Sequence, residues 1–453
     1  MEHTATIRSK LEDYIKSEGI TLQRLAEKCN LNAGTLSAIL HASRPISMRQ
    51  LDQLIAGIGL AEGEWYEMYI TECVIDYTPN WRRLRPFLYR CMELDKLDLI
   101  EKVISPLSET FAYVSLLFET AEDFFRLGKY AAARILYESV AESERYQHSE
   151  RLAVCQYRLF IISIGQDQQA NLRAAAIFEG YVDRLNEEEQ LDALKELANL
   201  YSSLRVWEKL YFFATEMGRK ATIQYKAAMK KRRPQQEKRR TFYPLFLYIQ
   251  YSYLLQGDVL VEKGEYEEAL SLVDLYEDSS WVKETSEEIE SIKQKFQSWA
   301  KANRYMYKVM MGDGSVLPEY IAYLKENEDE VLTAMVKIIK SANQYGLDVD
   351  HVLKEFETGL TTISENKQYT TRMTEDLYMN FFWEIANYYL LKQKYKIGLD
   401  YLLNCLATTV KTNNASVIVR CVNAFEKFRY NAANDDVTRY QNLIKEVTKH
   451  NEI

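Results

Sequence analysis

The chain has 453 residues, more than one ordinary domain holds, so two or more compact units are expected. Apolar residues make up 47% of it, enough for large cores, while glycine (16) and proline (7) are too scarce for an all-β or a disordered chain. A net charge of −9 excludes polyanion binding by bulk charge, so any nucleic-acid contact has to be local. Residues 1–60 fit that requirement in sign: they carry +1 and leave −10 on the remainder.

The first predicted helix spans 7–18, where apolar and charged positions alternate at helical spacing. Thr21 is placed to cap a second helix, with Leu22, Leu25 and Ala26 on its inner face. Cys29-Asn30-Leu31-Asn32 breaks the pattern, and Leu36, Ile39 and Leu40 restart it. Two short helices joined by so few residues cross steeply, which projects the second outward in the manner of a helix-turn-helix and lets it enter a DNA major groove. Ser47 caps a fourth helix that ends at Gly57 and Gly59, and Glu62–Val74 reads as a fifth. The stretch DYTPN at 76–80 is the expected boundary between a head, 1–75, and a body, 76–453.

Residues 7–60 resemble the helix-turn-helix domain of the Cro/repressor (XRE) family through Leu25-Ala26, Leu31-Asn32, Thr35-Leu36-Ser37, Ile39, Arg44, Ile46-Ser47 and Leu51. Where that family often has a glutamine after the first cap this chain has Leu22, with Gln23 next to it. Leu40 and Ala42 stand where the family usually has glutamate and glycine. The resemblance implies base contacts from Asn32, Ala33, Thr35, Ala38 and His41, at the start and on the outer face of the recognition helix. It implies phosphate contacts from Gln23, Ser37 and Arg44.

From Pro79 onward almost everything reads as helix, and a short pattern recurs: a polar turn, Tyr, two residues, then a small residue. It occurs at Gly128-Lys129-Tyr130 with Ala133, Gly264-Glu265-Tyr266 with Ala269, and Gln393-Lys394-Tyr395 with Gly398. These units resemble tetratricopeptide (TPR) repeats, most clearly in GDVLVEKGEYEEALSLV at 257–273. Roughly seven to nine helix pairs fit the body, which implies a right-handed TPR-like α-solenoid with a concave inner face and makes the whole chain all-α. KKRRPQQEKRR at 230–240 interrupts the repeats at Pro234 and reads as a solvated loop between helices, with a phosphate contact or a regulatory loop as the functional alternative.

A second pattern, small-Asn-x-Tyr, occurs at Asn199, Asn303, Asn343 and Asn387, with a looser copy at Asn423. Each lies late in the first helix of a predicted pair, the helix that lines the concave face of stacked repeats. An asparagine side chain offers a donor and an acceptor, so it can pair with the N–H and C=O of any extended peptide. Neighbours such as Tyr201, Arg304 and Tyr305 would read side chains, and Gln250 and Tyr253 occupy the repeat in which the asparagine is missing. The competing explanation is that asparagine and tyrosine serve only packing between repeats.

The combination of an XRE-type head with degenerate TPR repeats resembles the peptide-pheromone receptors of the RRNPP family. That resemblance implies a cytoplasmic quorum-sensing transcription regulator: a homodimer that binds double-stranded DNA with two-fold related half-sites and is controlled by a short imported signalling peptide held by the inner-helix asparagines. A TPR adaptor for a protein ligand, or an interaction scaffold that does not bind DNA, is the alternative. No GxGxxG, P-loop, HExxH or GxSxG motif occurs, and the five His are far apart, so no enzyme is expected. The six Cys are scattered without metal spacing, so neither metal nor cofactor is expected and buried thiols in a reducing compartment are. No signal peptide and no uncharged apolar run of about 18 residues is present, so no membrane contact is expected.

Overall fold

The computed structural model describes residues 6–72, 80–107, 111–165, 167–230, 241–356, 372–412 and 415–451. Among the described residues every regular element is a helix and no strand occurs. The chain divides into two compact units, 1–204 and 205–453.

In the first unit the caps set the helix limits. α1 (Ile7–Glu18) starts at Thr6, whose hydroxyl accepts from the Ser9 N–H, and stops at Gly19 in the left-handed conformation. α2 (Leu22–Lys28) is capped by Thr21 and α3 (Ala33–Leu40) by Asn32, and Asn30, at φ 51°, makes the turn between them. α4 (Met48–Gly57) begins at a reciprocal Ser47–Gln50 cap. A Cβ at Gly57 would stand 2.4 Å from Cys29 Sγ and 2.7 Å from Cys29 Cα, so only glycine lets α4 end against the end of α2. These limits match the expected ones. α5 (Tyr66–Ile70) starts later than expected: Gly63 turns left-handed at φ 76°, and the helix begins only at Tyr66, while the expected end at Val74 lies outside the described residues.

α6 (Trp81–Glu93), α7 (Leu97–Ile104), α8 (Phe111–Arg126), α9 (Tyr130–Ser143), α10 (Glu150–Ser163), α11 (Gln168–Phe178) and α12 (Glu187–Ser203) complete this unit. One apolar core runs through it from Ile7 to Cys155. The Tyr66 and Tyr69 rings lie 5.5 and 5.6 Å from Phe87 of α6. Asp52 of α4 accepts from the Tyr66 hydroxyl at 2.6 Å and from Arg90 Nε of α6 at 3.0 Å. The first five helices are therefore joined to α6 inside one compact unit, and the division between the two units falls at 204/205. Most of the DYTPN stretch lies outside the described residues.

The second unit holds α13 (Trp207–Lys230), α14 (Leu245–Lys263), α15 (Tyr266–Glu277), α16 (Glu287–Met310), α17 (Leu317–Glu326), α18 (Val331–Tyr345), a short helix α19 at 350–356, α20 (Arg372–Leu391), α21 (Tyr395–Thr412), α22 (Ala415–Phe428) and α23 (Asn434–Asn451). α14 packs on α16, α16 on α18 and α18 on α20, so these four helices form a continuous layer. All three polar-turn–Tyr motifs fall at helix junctions, with positive φ at Gly128, Gly264 and Gln393. A Cβ at Gly398 would stand 2.7 Å from Leu390 Cγ and 3.0 Å from the Leu390 backbone nitrogen, which explains the small residue at that place in the motif. The basic stretch lies outside the described residues apart from Lys230.

Candidate functional site

In the first unit the eight residues expected at DNA lie on α2, at the cap of α3, on α3 and just after it. Leu25, Ala26, Leu36 and Ile39 are buried and hold the two helices to the core, which leaves the other faces outward. Gln23, Asn32, His41 and Arg44 are exposed, and Ala33, Thr35, Ser37 and Ala38 are half-buried. Asn32 Oδ1 accepts the Gly34 N–H at 2.8 Å, so one end of its amide is spent as the cap of α3. Arg8 Nε donates to the Ile39 carbonyl at 3.0 Å and ties the end of α3 to α1. The position where the family usually has glycine, Ala42, adopts φ 54°, so the left-handed turn is kept without the residue that favours it.

The residues expected at a peptide are divided between the units. Asn199 and Tyr201 belong to the first; Tyr201 is buried and its hydroxyl is hydrogen-bonded to the Glu179 carboxylate. The others lie in the second unit: Gln250 and Tyr253 on α14, Asn303, Arg304 and Tyr305 on α16, Asn343 on α18, Asn387 on α20 and Asn423 on α22. Gln250 is fully buried, and its Nε2 donates to the Tyr276 carbonyl at 2.9 Å and to Ser279 Oγ at 2.9 Å, so it pins the end of α15 and presents no surface. Asn303 Nδ2 donates to the Tyr276 hydroxyl at 3.0 Å. Burial pushes that hydroxyl well above the usual tyrosine range, and the Asn303 hydrogen bond opposes the shift. Asn343 Nδ2 donates to the Glu384 carbonyl and carboxylate, both at 2.9 Å, while its Oδ1 is buried without a partner. Asn387 makes no hydrogen bond to a described residue, and Asn423 is exposed.

Two clefts flank the end of α15. One, of about 630 Å³, is lined by Glu277, Gln297, Lys301, Arg304 and Tyr305. The other, of about 620 Å³, has apolar walls from Ile249, Tyr253, Leu275, Trp281 and Tyr225, with Lys226, Lys230, Asp274 and Asp278 at its polar edges. Arg304 stands between them, with Nη1 2.8 Å from Asp274 Oδ1 and Nη2 on the Glu277 carboxylate. The Tyr305 ring stacks on Tyr320 at 5.6 Å. The structure thus brings Tyr253, Asn303, Arg304 and Tyr305 around one segment of α15 and leaves Gln250 in the interior.

Sequence reasoning missed a third feature. Asp258 of α14 sits beside Tyr307 of α16, whose hydroxyl is buried without a hydrogen-bond partner. Burial, and then the Glu262 carboxylate, push the Asp258 carboxyl up to about 7, against the opposing pull of Lys337. Asp258 lies inside the clearest repeat, and Glu262 is one turn along the same helix, but its burial and Lys337 come from elsewhere in the chain and form no motif. Among the described residues no group of three or more His, Cys, Asp and Glu could hold a metal ion, and no helix is long and apolar enough to cross a membrane. No family model matches the chain, and no curated protein is significantly similar to it in sequence.

Proposed function

We propose that this protein is a transcription regulator of the peptide-pheromone receptor kind, in which the second unit binds a short signalling peptide and α2–α3 of the first reads DNA as a helix-turn-helix. The observation that carries the reading is the layer α14–α16–α18–α20, which sets Asn303, Asn343 and Asn387 late in successive stacked helices, with Arg304 and Tyr305, next to Asn303, lining a cleft at the end of α15. The clefts at the end of α15 suit a short peptide, whose backbone needs paired donors and acceptors and whose side chains need apolar pockets. The outward polar set on α3, with Arg44 behind it, suits a duplex in which phosphates position the protein and base edges give specificity. A homodimer in the cytoplasm meeting two symmetry-related half-sites, with peptide shifting the population of DNA-competent dimers, completes the proposal.

Selection of duplex DNA from a random pool by the full-length protein tests it. Enrichment of two inverted half-sites is expected, and enrichment of nothing, or of one unrepeated element, overturns it. Arg44→Ala is expected to weaken enriched and random duplexes alike and to flatten the salt dependence by about one unit of slope. A changed sequence preference at unchanged overall affinity contradicts the phosphate role. A second reading, a helical adaptor for a protein ligand, draws support from Asn303 and Asn343, whose amides already serve Tyr276 and Glu384. Binding of peptides of about five to ten residues favours the first reading, and a need for a longer docking helix favours the second.

A further inference from the structure

We propose that the apolar cleft between α13, α14 and the end of α15 receives the C-terminal residue of the bound peptide, with its side chain between the cleft walls and its carboxylate on Lys226 and Lys230. This rests on the peptide reading above. The cleft holds about 620 Å³, within the range of about 300–1,000 Å³ that small ligands occupy. Its apolar lining comes from Tyr225 and Met229 of α13, Ile249 and Tyr253 of α14, Leu275 of α15 and Trp281 in the connection that follows. Met229 and Leu275 are 40% and 48% exposed, so the chain leaves this apolar surface to solvent.

The walls are held in place from behind. Buried Gln250 of α14 donates from Nε2 to the Tyr276 carbonyl and to Ser279 Oγ, both at 2.9 Å, and so fixes the connection that carries Trp281. Trp281 Nε1 donates to the Asp278 carbonyl at 2.9 Å. Tyr225 meets the Trp281 ring edge-on at 5.1 Å, and its hydroxyl donates to Glu284 Oε2 at 3.1 Å. A cleft set in this way before a ligand arrives loses little freedom on binding. Its open charges favour an anion. Lys226 and Lys230 lie one turn apart on α13, both exposed, and among the described residues neither forms an ion pair. Of the two carboxylates at the edge, Asp274 is neutralised by Arg304, whose Nη1 lies 2.8 Å from its Oδ1, and Asp278 Oδ1 accepts the Ser280 N–H at 2.8 Å. Even with Asp278 counted, the two lysines leave a positive charge over, so an anionic group on an apolar body complements the cleft. A peptide C-terminus is such a group, because its carboxylate and its side chain leave the same carbon. An aspartate or glutamate spends the side chain itself on the charge.

Two experiments on the full-length protein test this. In the first, N-acetylphenylalanine, its amide and octanoate are titrated by saturation-transfer NMR. The acid is expected to bind about tenfold tighter than its amide, and a variant with both Lys226→Gln and Lys230→Gln to hold the two within about twofold. Both lysines are exposed, so the exchange leaves the core untouched. Equal binding of acid and amide in the wild type, binding of neither, or an unchanged preference in the double variant overturns the subsite. Octanoate bound tighter than N-acetylphenylalanine points to a fatty acid and overturns the peptide terminus as occupant. In the second, a hexapeptide library is offered with free-acid and with amidated C-termini. The wild type is expected to retain acids with an apolar last residue about tenfold over their amides, and the double variant to retain both alike. Peptides retained without preference for the acid overturn the subsite and leave the peptide reading standing. Preference for N-acetylphenylalanine over its amide with no peptide retained removes the peptide reading, and with it the proposed occupant.

Discussion

The two candidate regions are built on opposite principles. Around α2 and α3 the residues expected at DNA are exposed or half-buried, and the inward faces are apolar: Leu25, Leu36 and Ile39 buried, and caps on the helix starts. In the layer α14–α16–α18–α20 polar atoms are inside. Gln250 Oε1, Tyr307 Oη, Asn343 Oδ1 and Tyr378 Oη, one on each helix, are buried without a partner. Buried unpartnered polar groups are costly and scarce in folded proteins, so a run of them along one layer marks a region shaped for something other than its own stability. A surface-reading region tolerates change everywhere except in its scaffold; a region with polar groups inside responds in its stability wherever it is touched.

The sharpest way to break this contrast is at the scaffold of the first region. Gly57→Ala would drive a methyl group into Cys29 Sγ and backbone. Neither α2 nor α4 can withdraw without opening the core, so a loss of about 3 kcal/mol is expected, read as an earlier urea transition. A variant as stable as the wild type would mean that the close contact of α2 and α4 is soft and that the region is not held rigid for reading.

In the second region the largest effect has the opposite sign. The Asp258 carboxyl is held up near 7, above its ordinary 3.8. Below pH 4 it is protonated folded or unfolded and contributes nothing. Between 4 and 7 the unfolded chain ionises first, so stability falls as pH rises, and above 7 the penalty is complete. Asp258→Asn is therefore expected to stabilise the second unit by about 2 kcal/mol at pH 8 and by much less at pH 5. Urea titrations at the two pH values check it, and equal effects at both would show that the carboxyl is not penalised by its surroundings.

The asparagines sharpen the comparison next. Asn343 bridges α18 to α20 through Glu384, so Asn343→Ala should cost about 1 kcal/mol of stability whether or not peptide binds there. Asn387 has no such bond, and Asn387→Ala should leave the melting temperature unchanged. If the layer clasps a peptide backbone, the same variant weakens peptide binding about tenfold, since about 1.4 kcal/mol is a factor of ten. Calorimetric titration beside thermal melts reads both, and intact affinity in Asn387→Ala would remove that residue from the clasp.

What the sequence disclosed follows the same division. Caps and turns are local: Thr21 and Ser47, and the junctions at Gly128, Gly264 and Gln393, lie where short-range rules put them. The later start of α5 reflects one left-handed glycine, Gly63, inside an apolar pattern that would otherwise propagate the helix. The interior of the layer is not local. Whether Gln250 faces a ligand or the end of α15 depends on how α14 is rotated, and periodicity did not settle that where nearly every position is apolar or aromatic. Asp258 gains its character first from burial, which depends on how distant helices pack, and then from Glu262 one turn along α14, with Lys337 opposing.

The smallest effect concerns the one place where the first region departs from its resemblance in backbone chemistry. Ala42 holds φ 54° in the turn after α3, where a side chain costs about 1–2 kcal/mol relative to glycine. Glycine would also add freedom to the unfolded chain, worth about 0.4–1 kcal/mol in the other direction. The difference leaves Ala42→Gly stabilising by about 0.5 kcal/mol, a gain that careful urea titration resolves. Ala42 is exposed, so no packing term obscures the sign. If the variant is instead destabilised, unfolded-state entropy outweighs the relief of strain, and alanine is then the better residue for this turn. If it is stabilised while duplex selection is unchanged, the strain at Ala42 is tolerated by the scaffold and has no part in the proposed DNA contact.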